Sequence, residues 1–158
     1  QFSLQNVVLE YATARLIDTV CAEIVHGTWR RFNSHALMQA QTLEYVRESQ
    51  VRLLLAPLAQ QLATIHGHAA LRTTLLAGLQ QLRTGKTTAP GYAGGNALNV
   101  LLFLGADLRG ADFSRLSIWQ ADLRRARLPG VSFAHADLRD TLFAETLRDG
   151  FAVAWSPN

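Results

Sequence analysis

Between Ala106 and Glu145 the chain keeps a strict period of five through eight units: ADLRG, ADFSR, LSIWQ, ADLRR, ARLPG, VSFAH, ADLRD and TLFAE. The third place of each is large and apolar: Leu108, Phe113, Ile118, Leu123, Leu128, Phe133, Leu138 and Phe143. Two places earlier stands a smaller residue (Ala106, Ala111, Ala121, Ala126, Val131, Ala136, Thr141), with Leu116 the outlier. On a helix every fifth residue lies about 500° further round, so this period makes no helical stripe, and an odd period does not suit the alternating faces of a flat strand. What remains is a coiled solenoid in which each unit buries its apolar residue against the units above and below. Those eight residues are the predicted solenoid core.

The pattern resembles the pentapeptide-repeat family, A-[DN]-L-x-x in consensus. The resemblance implies a right-handed, four-sided β-helix with four units per coil, the central residue and the small one pointing inward. Eight units then make about two coils. Eight buried anchors do not offset the entropy of ordering forty residues, so other parts of the chain must cap and support the block. The expected fold class is α+β, a helical region followed by this short β-helix. The expected divisions are a helical region over 1–83, a loop over 84–95, a capping helix over 96–105, the β-helix over 106–145, and in 146–158 the start of a following β-propeller or a C-terminal tail.

Upstream of the repeat the patterning is helical. Ser3 is an expected N-cap for a helix from Leu4 to His26, with Leu4, Val8, Tyr11, Ala12, Leu16, Val20 and Ile24 on one stripe, widened by Ile17 and Cys21. Gly27 supplies the stop. After a connector over residues 28–32, Asn33 or Ser34 caps a helix from His35. Pro57, with no N–H and a ring that clashes with the preceding turn, kinks or restarts it. Gly67 separates a further helix, Ala69 to Arg83. Asn96 is the expected cap of a short helix, Ala97 to Leu104, that plugs the solenoid. The stretch Phe151 to Trp155 reads as a strand. A start at Gln1 and an end on that strand suggest an excised piece.

Composition narrows the function classes. The chain has 158 residues, 49% of them hydrophobic and 17% charged, which suits a packed globular protein. Its charge of +3 is mild, and the repeat block balances six basic against six acidic residues, so nucleic acid is not the expected partner. The lone Cys21 permits no internal disulfide and fits a reducing, cytoplasmic setting. No apolar run reaches the ~20 residues that span a membrane, and no membrane partner is expected.

The candidate chemical motifs are weak. Gly85-Lys86-Thr87 lacks the first glycine of a phosphate-binding loop, since Gln80 stands there inside a predicted helix. His66-Gly67-His68 is at most half a metal site, the other histidines (His26, His35, His135) being scattered. Asp107, Asp112, Asp122 and Asp137 share one repeat position and face Arg109, Arg124 and Arg139 as a solvated ion-pair surface. Arg30-Arg31 lies between Trp29 and Phe32, more simply a helix end with both aromatics packed inward than a nucleic-acid contact. No catalytic, cofactor-binding or metal residue is assigned, and no enzyme is expected in this stretch.

The order of the pieces carries a second resemblance. The stretch FSLQNVVLEYATARLIDTVCAEI resembles the last helix of the winged-helix part, and the helix after it, in bacterial NB-ARC ATPases with WD-repeat propellers, which belong to the STAND class of signalling NTPases. HALMQAQTLEYVRESQVRLLLAPLAQQL resembles the helical connector that follows, and GYAGGNALNVLLFLGADLRGADFSRLSIWQADL the repeat region before the propeller. FAVAWSPN is similar to the opening of a first WD repeat. The resemblance implies a non-catalytic connector with intramolecular contacts to an upstream NTPase domain and a downstream β-propeller. ATP or ADP would be bound by the parent and no cofactor by this piece. Residues 84–95 are its one candidate hinge. The rivals are a free-standing pentapeptide-repeat interaction module, a helical DNA-binding module using Arg15, Arg30 and Arg31, and a DNA mimic, for which the block is too short and too neutral.

Overall fold

The computed structural model describes residues 4–85 and 89–144, so Ser3, Lys86, Thr87, Glu145 and the expected strand over 151–155 lie outside the described residues. Among the described residues six α-helices precede the repeat: α1 Leu4–His26, α2 Arg31–Ser34, α3 Glu44–Gln50, α4 Ala56–His66, α5 His68–Thr84 and α6 Ala93–Phe103. A π-helical turn, Val51–Leu55, joins α3 to α4.

Two stops follow from glycine alone. Gly27 and Gly67 take φ of 69° and 74°, where an L side chain is strained, and so end α1 and α4. Pro57 falls in the first turn of α4, where its missing N–H has no intrahelical partner to lose. The chain adapts upstream with the wide π-turn, closed by Ala56 N–H donating to the Val51 carbonyl. The helix expected from His35 begins only at Glu44; residues 35–43 carry no helix. Side-chain contacts pin that segment instead. Asn96 accepts from Leu37 N–H (3.0 Å), and Gln120 Oε1 accepts from Ala40 N–H (2.7 Å).

Helix α1 keeps only half of its expected stripe. Ile17, Val20, Cys21 and Ile24 are buried, whereas Val8 and Tyr11 are 59% and 66% exposed. Trp29 and Phe32 both pack inward, edge to face at 5.2 Å, and Trp29 lies against α5 where Gly78 leaves no room for a Cβ. Burial and the nearby Asp18 carboxylate push the Cys21 thiol up to about 11.

The expected α+β class with a right-handed quadrilateral β-helix is corrected. Among the described residues there is no β-strand and no sheet, and about 56% of them are helical, so the regular structure is nearly all helix. The repeat block is instead a run of turns. Its extended contacts are three isolated parallel bridges, Asp112 to Ser132, Ser117 to Asp137 and Asp122 to Leu142, each between residues 20 apart. A corner every five residues leaves one paired residue per side, too few for a strand. Among the described residues the corners close on the fifth place of the unit. Gly110, Arg115, Gln120, Gly130, His135 and Asp140 take positive φ there, as does Gly105 just before the block, whereas Arg125 does not. Each non-glycine in that region costs roughly 1 kcal/mol.

The eight apolar residues of the block divide by position. Leu108, Phe113, Ile118 and Leu123 are buried, and Leu128, Phe133 and Leu138 are half-buried with one side against the first four. Phe113 stacks on Phe133 at 5.6 Å. Phe143, expected inward, is 45% exposed, since no described residue covers it. One hydrophobic cluster runs without a break from Ile17 through the helices to Leu123.

The expected loop over 84–95 and capping helix over 96–105 are shifted. Helix α5 continues to Thr84, and α6 begins at Ala93, three residues before Asn96. Asn96 is not a cap; it lies inside the helix, 1% exposed. Gly94 and Gly95 are buried against the coil, so the connection between α5 and α6 does not join two separate bodies.

Candidate functional site

Helix α6 is the piece that holds helices and coil together, and it does so with residues that read as a loop in the sequence. Gly94 faces the Ser117 carbonyl and the Ile118 side chain, and Gly95 faces the Trp119 carbonyl. A Cβ at either position would collide, at Gly95 with backbone alone. Asn96 and Asn99, one turn apart on the same face of α6, bind different neighbours. Asn96 Nδ2 donates to the Phe32 and His35 carbonyls, both at 2.8 Å. Asn99 Nδ2 donates to the Gln120 carbonyl (2.9 Å), and its Oδ1 accepts from Asp122 N–H (2.9 Å). Each amide is spent on backbone groups that α6 would otherwise leave unpaired, which fixes the helix on both neighbours.

Beside this contact the charged groups converge. Arg47 on α3 is 5% exposed and donates to the Ala40 and Thr42 carbonyls at 2.7 and 3.0 Å. It also pairs with Glu44 at 2.6 Å and lies 3.6 Å from Asp122 on the coil. Arg124 closes the ring, with Asp122 at 2.7 Å and Glu44 at 3.3 Å. Burial pushes the Asp122 carboxyl up, but the Arg124 hydrogen bonds and the Arg124 and Arg47 charges outweigh it and hold the group below the usual carboxylate range. The network borders a cleft of about 430 Å³ between α3, the π-turn, α6 and the coil. Met38, Leu55, Leu102 and Phe103 give it an apolar floor, and Glu48 and Arg125 stand at its rim.

The sign of the pH dependence follows from Asp122. Its folded pKa lies below its unfolded value, so its contribution is complete above the unfolded pKa of ~3.9 and is lost as pH falls through the folded one. Thermal unfolding from pH 6 down to pH 2 should show Asp122→Asn less stable than the parent at pH 6, with the gap closing below about pH 4. A gap that persists unchanged at pH 2 would mean that the carboxylate charge is not what stabilises the junction.

The four repeat aspartates do more than pair with arginine. Each accepts the backbone N–H two residues on: Asp107 from Arg109, Asp112 from Ser114, Asp122 from Arg124 and Asp137 from Arg139, at 2.8–3.2 Å. The aspartate therefore shapes the corner it precedes. Hydrogen bonds from the Arg109 side chain and backbone bring Asp107 down to about 2. Three aspartates pair within their own unit (Asp107–Arg109, Asp122–Arg124, Asp137–Arg139), whereas Asp112 pairs with Arg83 of α5 at 2.7 Å. Arg139 also lies over the Trp119 ring at 4.7 Å, and Trp119 donates to Asp137 at 2.7 Å.

The remaining candidates are scattered. Arg15, Arg30 and Arg31 are exposed. His66 and His68 end α4 and open α5 on either side of Gly67. Among the described residues no three His, Cys, Asp or Glu side chains converge on one point, and no helix is long and apolar enough to cross a membrane. The residues that organise the junction, Arg47, Gly94, Gly95, Asn96 and Asn99, carried only one warning in the sequence, a Gly-Gly pair next to two asparagines.

Comparison with known proteins places part of the chain. Residues 103–143 match the family model for pentapeptide repeats, in eight copies. Over an aligned length of 190 residues the chain is 36% identical to an uncharacterized WD repeat-containing protein of Nostoc sp., a match that takes in 99% of this chain and 15% of that relative. The chain thus spans about 15% of the length of the curated relative it matches. No solved structure matches it. Residues 103–143 are therefore a block of pentapeptide repeats, and the block and the WD-repeat relative together fit a protein-interaction or scaffold role.

Proposed function

We propose that this chain is a non-catalytic connector in a STAND-type signalling ATPase, a stiff arm between an NB-ARC nucleotide-binding module and a WD-repeat sensor. The observation that supports it best is the unbroken core from α1 to the coil, with α6 pressed by Gly94 and Gly95 onto the coil backbone. An arm transmits a displacement only if its parts move together, and close-packed interiors deform little. The relative's name supports the propeller side, since the match to it covers nearly all of this chain and leaves most of the relative for other parts. In this reading the chain holds no nucleotide itself; ATP or ADP belongs to the upstream module. Contacts with both neighbours are intramolecular, in the cytoplasm.

Sequencing the gene across both ends of this stretch tests the proposal. A phosphate-binding loop with NB-ARC-like helices upstream and strand–turn units of ~40–45 residues downstream is the expected result. Unrelated flanking domains, or stop and start codons at the edges, would overturn it in favour of a free-standing interaction module.

A further inference from the structure

A second, smaller cavity of about 240 Å³ lies where the end of α5, the start of α6 and a corner of the coil meet. Two arginines line it, Arg83 of α5 and Arg115 of the coil, and among the described residues no Asp or Glu does. The wall opposite α5 is held in place by Asn33. Its Nδ2 donates to the Ala89 carbonyl (3.1 Å), and its own carbonyl accepts from Tyr92 N–H (2.8 Å). A Cβ at Gly91 would collide with Asn33, and one at Gly94 with the Ser117 carbonyl, so bare backbone borders the cavity at both places.

The two guanidinium groups are held differently. Arg83 is 15% exposed, and one edge of its fork is taken: Nη1 donates to Gln80 Oε1 (2.8 Å) and Asp112 Oδ2 (2.7 Å), and Nη2 donates to the Asp112 carbonyl (2.6 Å). Its Nε is buried and has no acceptor. A guanidinium carries five N–H groups, so the other edge, Nε–H with the second Nη2–H, is left without a partner among the described residues. A buried donor of a charged group left unpaired is unfavourable, and an acceptor at that edge relieves it. Arg115 stands at a corner with φ of 56°, its backbone N–H held by the Ala134 carbonyl (2.9 Å). Arg109, Arg124 and Arg139 each pair with the aspartate of their own unit. The aspartate of Arg115's unit, Asp112, pairs with Arg83 instead, and Arg115 is in no ion pair among the described residues.

We propose that this cavity binds one phosphate group, either the free ion or the head of a small phosphomonoester. Asp112 offsets one of the two positive charges and leaves the other for the ligand. The open edge of Arg83 matches two oxygens of a tetrahedral group, and Arg115 reaches a third, which the two oxygens of a carboxylate do not offer. At about 240 Å³ the cavity holds such a group with its waters, but it is smaller than the ~300 Å³ at which pockets for whole ligands begin, so a nucleoside does not enter. A phosphate seated there ties the end of α5 to the coil across the start of α6. The inference is independent of the connector reading, since it requires neither a nucleotide-binding module nor a propeller.

The test is isothermal titration calorimetry of the 158-residue chain with sodium phosphate at low ionic strength. The expected result is one phosphate per chain with a Kd at or below about 1 mM. Arg115→Gln should weaken binding at least ~10-fold while the Tm without phosphate stays within about 2 °C of the parent, because Arg115 is exposed. Arg83→Lys, which keeps the charge and loses the fork, should also weaken it. Arg127→Gln, at an exposed position of the coil outside the cavity, should bind as the parent does. Glycerol 3-phosphate titrated in parallel tells the two sources apart: tighter binding of the ester marks a phosphorylated small molecule, and tighter binding of the ion marks phosphate itself. Absence of binding by both up to about 20 mM would overturn the inference. Equal weakening by Arg115→Gln and Arg127→Gln would do so too, as general charge attraction, and so would acetate binding as tightly as phosphate. None of these outcomes bears on the connector reading, which the flanking gene sequence decides.

Discussion

Replacing Gly95 by alanine is expected to destabilise the protein by about 3 kcal/mol or more, read as a fall in Tm of roughly 6–12 °C. The sign is what makes this informative. In the interior of an exposed helix the same change gains up to about 1 kcal/mol, because alanine loses less backbone entropy than glycine. Here the new Cβ meets the Trp119 carbonyl, part of the coil's backbone, which cannot swing aside as a side chain does. The helix must back away, and with it go the Asn99 hydrogen bonds to Gln120 and Asp122. Gly94→Ala should behave alike through the Ser117 carbonyl. Gly27→Ala is the control: its φ is 69° but no atom lies within 4 Å, so only the strain of about 1 kcal/mol applies. A stabilised Gly95→Ala variant would mean that α6 does not press on the coil, and the stiff arm would lose its main support.

Phe113→Ala should cost about 3–5 kcal/mol, whereas Phe143→Ala should cost no more than about 1 kcal/mol, as measured by urea unfolding. Both residues hold the third place of a repeat unit, so the sequence treats them as equals. Phe113 is fully buried between the helices and the stacked ring of Phe133, and its removal leaves a void that rigid neighbours on two sides cannot close. Phe143 is 45% exposed and already meets water. Equal costs at the two positions would mean that the end of the coil is covered in solution. An equal and small cost would put the register itself in doubt.

Much of the local structure was readable because it depends on near neighbours. The five-residue period sets how often the chain turns, while the four repeat aspartates, read in the sequence as an ion-pair surface, also accept the backbone N–H two residues on. Gly27 and Gly67 end their helices for a reason internal to the backbone. Trp29 and Phe32 pack inward as two aromatics at a helix end do. The β-helix was an overreach of the same logic: the period specifies how often the chain turns, while a strand requires consecutive paired residues, and the sides between these corners are too short to supply them.

The residues that decide the junction were hidden for the opposite reason. Gly94 and Gly95 look like loop residues because a glycine pair is locally flexible, yet their use here is the absence of a side chain facing Ser117 and Trp119, 23 and 24 residues further on. Arg47 looks like a surface charge on α3, and only the carbonyls of Ala40 and Thr42 with the carboxylate of Asp122 make its burial tolerable. The stripe on α1 reads as continuous, but the body it packs on ends near Ile17.

By itself, then, the sequence determined helices α1, α4 and α5, the glycine stops at Gly27 and Gly67 and the rhythm of the repeat, since each arises from backbone sterics and from side chains within a few positions of one another. Only the tertiary structure decided which apolar residues are covered, where helix meets coil, and which charges are buried as partners. Those outcomes depend on surfaces that meet across tens of residues, and periodicity along the chain carries no record of what lies opposite.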